Sequence, residues 1–239
     1  MANTILIETS TALCSVALAE DGKVTAYRES SAPKAHASLT AVFVQEVLEE
    51  RGIKLADCDA VCVSMGPGSY TGLRVGVSTA KGLCFGSAKP LLAVGTLDTL
   101  VAQAASEESV IAEGIDYKYI VPMIDARRME VYSAVFEAVP AEEEGYTQIT
   151  ETTPTIVDEN SFAEYLEQGH VLFIGDGAGK CADVIKHPNA HFCQCNPKAS
   201  AMLEPAMKAY SSQKFVDVAY FEPFYLKEFV ATVSKKKLF

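Results

Sequence analysis

Twelve residues from Met65 to Gly76 read MGPGSYTGLRVG and hold four glycines and a proline. A glycine-rich turn between an apolar run and a helical pattern is the usual setting of a phosphate-binding loop. The spacing meets neither phosphate motif. A Walker loop puts its second glycine at the sixth position and follows it with Lys-Ser or Lys-Thr. Counting from Gly66, that position holds Thr71, and from Gly68 it holds Leu73. The dinucleotide fingerprint fails at one place, because Thr71 stands where the third glycine belongs. What remains is a tight turn, Gly66-Pro67-Gly68-Ser69, leading into a helix in which Gly72, Gly76 and Ala80 recur every fourth residue. Small residues at that spacing leave a flat strip on a helix that another backbone can approach closely. Each glycine costs the helix about 0.5–1 kcal/mol relative to alanine, so two of them need a packing reason. The strip either packs on this chain's own sheet or offers a face to another subunit.

A second glycine loop, GDGAGK at 175–180, follows the apolar run VLFI. It can wrap a phosphate at a helix N-terminus or be a plain connection. Two acids, Glu8 and Asp125, each end a strand-like run at corresponding places. Carboxylates so placed across a cleft can hold a magnesium ion with a nucleotide, and either can equally cap a turn. The four histidines are His36, His170, His187 and His191. His187, His191, Cys193 and Cys195 crowd into HPNAHFCQC. That cysteine spacing is C-x-C, where zinc sites favour C-x2-C, so a loop entering a strand is the better reading. G-x-S-x-G and H-E-x-x-H are both absent.

The elements that would position these residues alternate in type. TILIET, CSVALAE and KVTAYRES read as a three-strand meander, with Asp21-Gly22 as a hairpin turn. From Ser38 the apolar positions Leu39, Val42, Phe43, Val47 and Leu48 follow helical spacing, and Arg51-Gly52 supplies a stop. AVCVSM at 60–65 and PLLAVG at 90–95 are short buried strands around the glycine-stripe helix, and TLDTLVAQAA is a further helix. Composition turns polar and acidic over 106–118, which sets a domain boundary there: 1–105 and 106–239. After the boundary, VPMIDARRMEVYSAVFEA repeats the grammar of ILIETSTALCSVALAE: strand, acid, polar turn, strand. A polar loop follows over 140–160, then a short helix at Ser161–Gln168, the strand HVLFIG, the DGAGK loop and C-terminal helical material. The class is α/β, built as two similar halves.

Bulk composition narrows the function. The chain has 239 residues, one large domain or two small ones. Its net charge of −11 repels nucleic-acid phosphates, so the chain alone is not expected to bind RNA or DNA. Lys235, Lys236 and Lys237 are the exception, as a solvated tail or as a contact to a partner or to RNA that a partner brings. Seven cysteines, with Cys14, Cys62 and Cys84 inside apolar runs, fit a reduced compartment better than a disulfide frame. MANTILIETS lacks a basic segment before its apolar run, and no apolar run reaches membrane-spanning length.

Four blocks, SMGPGSYTGLRVGVSTAKGL, AVGTLDTLVAQ, MIDARRMEVYSAVF and EPFYLKEFVA, resemble in sequence and order those of the bacterial TsaB family, also called YeaZ. The resemblance spans nearly the whole chain. It implies the duplicated actin-like ATPase (ribonuclease H-like) fold, with a cleft between the halves. It also implies a cytoplasmic, non-catalytic subunit of the system that adds threonylcarbamoyl to the adenosine beside the anticodon of tRNAs reading codons that begin with A. The catalytic paralogue there is TsaD, with the ATPase TsaE as a further partner and tRNA reached only through the complex. The HxxxH metal pair of TsaD matches Thr96 and Leu100 here, neither a usual metal ligand. Family members pair through their first two helices, with themselves or with TsaD. Carried over, that surface is Leu39, Val42 and Phe43 with Gly72, Leu73, Val75, Gly76, Thr79 and Ala80. A nucleotide cleft would fall at Glu8, Thr9, Ser10, Asp125, Gly175 and Gly177. No cofactor is implied for this chain alone, while ATP or ADP with magnesium is allowed at the complex. Glu8-Thr9-Ser10 departs from the Asp-Thr/Gly of nucleotide-binding members. A peptidase or an ATP-dependent phosphotransferase of the same fold is the alternative.

Overall fold

In the computed structural model, residues 3–106, 115–139 and 145–227 are described. The chain opens with β1 (Thr4–Glu8), β2 (Cys14–Glu20) and β3 (Lys23–Ser30), an antiparallel meander turned at Asp21-Gly22. Helix α1 (Ala35–Arg51) returns the chain, and Gly52 closes it at φ 65° by donating to Glu49 O. The helix begins three residues before Ser38, since Ala35 is itself buried. β4 (Ala60–Ser64), α2 (Tyr70–Ser87), β5 (Leu91–Val94) and α3 (Thr96–Ser106) complete the first half. β4 lies parallel to β1, and β5 parallel to β4.

The second half runs β6 (Tyr117–Asp125), β7 (Glu130–Ser133), β8 (Phe136–Ala138), β9 (Tyr146–Gln148), β10 (Thr153–Ile156), α4 (Ala163–Leu166), β11 (His170–Ile174), α5 (Ala178–Cys181) and β12 (Ala190–Cys193). The polar stretch expected as a loop over 140–160 thus carries two short strands. β9 pairs with β8 and β10 with β7, and these edge strands are too exposed to show an apolar pattern. A 3-10 turn at Ala199–Met202, α6 (Leu203–Ser211) and β13 (Phe215–Val216) follow. β13 adds to β5, so the end of the described chain returns to the first sheet. The Lys235–Lys237 tail lies outside the described residues.

The two sheets have one topology. The first runs β3-β2-β1-β4-β5 and the second β10-β7-β6-β11-β12. In each, the first three strands are antiparallel and the next two parallel, with a helix in every parallel crossover. β1 and β6 therefore correspond, and so do the turns after Glu8 and Asp125. The internal repeat in the sequence is a duplication of the fold.

Alternation along the strands fills both faces of each sheet. Ile5, Ile7, Val61 and Val63 face α1 and α2, while Leu6, Cys62 and Leu92 face Met202 and Ala206. Burial on both sides explains the nearly continuous apolar run of β1. In the second sheet, Ile120, Ile124, Leu172 and Ile174 pack on Leu97 and Leu100 of α3, and Val121, Met123 and Phe173 pack on the α4–α5 side. Each such buried aliphatic side chain contributes about 1.5–3 kcal/mol. Helix α3 also joins the halves, because its buried Gln103 accepts from Lys198 N and donates to Asn196 O. Cys14, Cys62 and Cys84 are core residues, and all seven cysteines are free thiols.

Candidate functional site

The glycine stripe of α2 faces inward. A Cβ added at Gly72 would lie 2.1 Å from Thr9 O, one at Gly76 would lie 2.2 Å from Thr9 Oγ1, and one at Gly68 would lie 2.4 Å from Ser10 O. The glycines let α2 and the loop before it rest on the turn between β1 and β2. Ser69 N donates to Ser10 O, and Ser69 Oγ accepts from Gly72 N as the N-cap of α2. This corrects the expected partner surface: Gly72, Leu73, Gly76, Ala80 and Phe43 are all buried within the chain. Leu39, Val75 and Thr79 are half-buried, and Val42 is exposed.

The outer side of α2 carries a different stripe. Phe85 is 86% exposed, and Gly82 and Gly86 have nothing near a would-be Cβ. Val42, on the adjoining α1, is likewise an exposed apolar side chain. Phe85 was missed in the sequence because its neighbours Cys84 and Leu83 share the same apolar run.

A cleft of about 870 Å³ separates the two repeated turns. Ser10, Thr11 and the start of α2 form one wall, and Asp125 to Glu130 with Asp176 form the other. The described end of the chain crosses it as a strap. Lys81 Nζ donates to Ala219 O and Phe221 O, Phe224 N donates to Met65 O, and the Tyr225 ring lies 4.9 Å from that of Tyr70. Lys227 then pairs with Glu130 in the second half.

The residues of the cleft do not fit a magnesium nucleotide. Glu8 is fully buried and does not line the cleft. Burial pushes its carboxyl up to about 7, against the hydrogen bond that Oε1 accepts from Ser10 N at 2.7 Å, and Oε2 has no partner. Thr9 is equally sealed, under Gly72 and Gly76. Asp125 is a turn cap: it accepts from Arg127 N at 2.9 Å and from Lys180, which also donates to Arg128 O and Glu130 O. The GDGAGK loop is a plain connection. Gly175 N donates to Cys193 O, Gly177 N to Met123 O and Gly179 N to Gln194 Oε1, so these N–H groups are unavailable to phosphate. Gly175, at φ 130°, and Gly177 press on Met123 O. Asp176 accepts from Asp125 N, and burial, the largest cause, pushes its carboxyl up to about 6.

Other candidates resolve simply. Thr96 and Leu100 are fully buried on α3, and Thr96 Oγ1 lies 2.9 Å from Ser64 Oγ. His191 pairs with His170 at 3.0 Å on β12 and β11, while His187 caps a turn at Asn189. Among the described residues, no group of three or more His, Cys, Asp or Glu could hold a metal ion. No helix among the described residues is long and apolar enough to cross a membrane.

Two like-built sheets around a cleft define the duplicated fold of the actin-like ATPase class, here with the metal-nucleotide donors sealed or engaged. The family model for TsaD, tRNA N6-adenosine threonylcarbamoyltransferase, matches residues 29–235. The chain is 32% identical over 232 residues to the tRNA threonylcarbamoyladenosine biosynthesis protein TsaB of Escherichia coli K12, covering 95% of each. It is 31% identical to the TsaB of Haemophilus influenzae, covering 98% of this chain and 96% of that one. The structure of YeaZ from Pseudomonas aeruginosa superposes with a TM-score of 0.80 at 26% identity, over 95% of this chain and all of that chain. The chain belongs to the TsaB branch of this threonylcarbamoyltransferase family.

Proposed function

We propose that this chain is the non-catalytic scaffold subunit of the system that adds threonylcarbamoyl to the adenosine beside the anticodon of tRNAs reading codons that begin with A. It binds and stabilises a catalytic TsaD paralogue, and alone it forms a homodimer. The observation that carries the reading is that Thr96 and Leu100, which the resemblance sets at the places of the paralogue's metal-binding histidines, are sealed in the core. The match to TsaB proteins over nearly the full chain supports it.

The binding surface is the outer side of α1 and α2, centred on Phe85, Val42, Val75 and Thr79. The lobes are 1–105 and 106–239, with residues 199–216 returning to brace the first sheet. TsaE joins at the complex, and tRNA is reached there, since a chain of net charge −11 repels it.

Light scattering on the chain alone and mixed with its TsaD paralogue tests this. A homodimer that converts to a heterodimer, with both lost in Phe85→Asp, is expected. Phe85 touches little of its own chain, so folding is preserved. Unchanged masses for the variant overturn the surface, and a chain that ignores TsaD overturns the role.

A further inference from the structure

The repeated topology makes α1 and α4 counterparts, since each lies in the crossover from the outer strand of its sheet to the fourth strand. Their lengths differ, 17 residues against four. In the first half, Phe43, Val44 and Val47 of α1 cover Val16 and Leu18 of β2 and Ala26 of β3. In the second half the short α4 leaves the matching face of β7 and β10 open, and a cavity of about 380 Å³ lies there. Ser133 shares this face with Val131, which packs toward α4 and α5. The floor carries hydroxyls where the first half carries aliphatic side chains. Ser133, 2% exposed, donates to Thr155 Oγ1 at 3.3 Å, and Thr150 Oγ1 accepts from Val135 N at 2.8 Å. Such a floor suits a polar occupant better than an apolar helix face.

The walls supply rings and charge. Phe162 and Tyr165 line the cavity half-buried, and their rings are anchored 5.5 Å from that of Phe173 and 5.1 Å from that of Tyr119. Glu151 and Glu164 line it as exposed side chains, and neither forms an ion pair among the described residues. Burial, and after it the Glu164 carboxylate, push the Tyr165 phenol above its ordinary value, so the ring stays neutral. No lysine or arginine occurs between Arg128 and Lys180 in the sequence. Lys118 is turned to Gln168 and Glu137 and does not line the cavity. Ring faces and carboxylates both attract a cation, and an ammonium or guanidinium group answers both.

The geometry points to a binding site for a small aliphatic amine or guanidine, with its cationic group among Phe162, Tyr165, Glu151 and Glu164 and its chain over the Ser133 and Thr155 hydroxyls. The volume falls at the low end of small-molecule sites, about 300–1,000 Å³. A peptide strand is the poorer occupant. β10 is the edge of its sheet and holds Pro154, which has no N–H to give to an added strand. Every lining residue belongs to the second half, so the site depends neither on the scaffold role nor on the outer face of α1 and α2.

Calorimetry and thermal shift on the full-length chain test this, at about 0.15 M salt so that diffuse attraction to an acidic surface is screened. The probes are putrescine, agmatine and, as the uncharged counterpart, butanediol. Binding by at least one of the two amines and none by the diol is expected. Affinity should fall tenfold or more in E151Q/E164Q and several-fold in Y165L, which keeps apolar bulk and loses the ring. E159Q/E167Q removes two carboxylates that do not line the cavity and should leave affinity within twofold. The substituted glutamates are exposed, and the melting curve without ligand reports whether each variant folds. Absence of binding by both amines overturns the site. So does equal binding by the diol, or a loss in E159Q/E167Q as large as in E151Q/E164Q. A lysine-containing peptide that binds where the free amines do not overturns it as well. None of these outcomes bears on pairing with TsaD.

Discussion

Gly72 of α2 sits on the carbonyl of Thr9, so close that a methyl group at Gly72 would lie 2.1 Å from that oxygen. The contact is with backbone, so no side-chain rotation relieves it. It ties the helix after the first glycine loop to the turn after the first strand and fixes one wall of the cleft.

Gly72→Ala is therefore expected to cost about 1–3 kcal/mol or more as an overpacking change. For a chain of this size that lowers the melting temperature by about 2–4 °C per kcal/mol. Gly82→Ala, on the open side of the same helix, is expected to raise stability by about 0.5–1 kcal/mol through helix propensity. Thermal melts of both variants check this, and equal shifts would refute the inward orientation of the stripe.

The buried Glu8 predicts a pH dependence. Its folded pKa, about 7, lies above the 4.5 of the exposed group, so the folded state holds the proton more tightly. Its contribution to stability is full below about 4.5, declines as pH rises toward 7 and is flat above. At about 1.4 kcal/mol per unit, the span is on the order of 3 kcal/mol. Asp176, raised to about 6, adds a smaller change of the same sign. Glu8→Gln keeps an acceptor for Ser10 N and removes the ionisation. Denaturant melts from pH 5 to 8 should show the variant gaining on the wild type as pH rises, and parallel curves would refute this.

Lys180 predicts a local effect. Its ammonium joins Asp125 to the carbonyls of Arg128 and Glu130. Lys180→Met removes these bonds and is expected to cost about 1–3 kcal/mol. Asp125→Asn leaves the two carbonyl contacts and costs less. Hydrogen exchange at residues 126–131 should speed up more in Lys180→Met than in Asp125→Asn.

The strap gives a further prediction. The Tyr225 ring packs on Tyr70, and Lys227 reaches Glu130. Tyr225→Ala is expected to raise protease cleavage after Lys227 several-fold while lowering the melting temperature by no more than about 6 °C, because an aromatic pair of this kind contributes about 0.5–1.5 kcal/mol. A digestion time course checks it.

The sequence by itself determined the meander at Asp21-Gly22, the stop at Gly52, the glycine turn at Gly66–Ser69 and the repeat of Glu8 in Asp125, because each depends on local conformation or on one strand's burial. It also ruled out the phosphate motifs, since those are spacings along the chain. Only the tertiary structure decided which way the stripe of Gly72, Gly76 and Ala80 faces. Helical spacing defines a face and does not say what covers it, and Thr9, distant in sequence, covers this one. The same holds for the acids. Glu8 and Asp125 end corresponding strands, yet one is sealed beneath α2 and the other is held by Lys180, because their surroundings come from different crossovers: an 18-residue α2 over the first turn and a four-residue α5 over the second. That the turns of Ser10-Thr11 and Arg127-Arg128 line one cleft arises only when two distant segments meet, and no local pattern records that meeting.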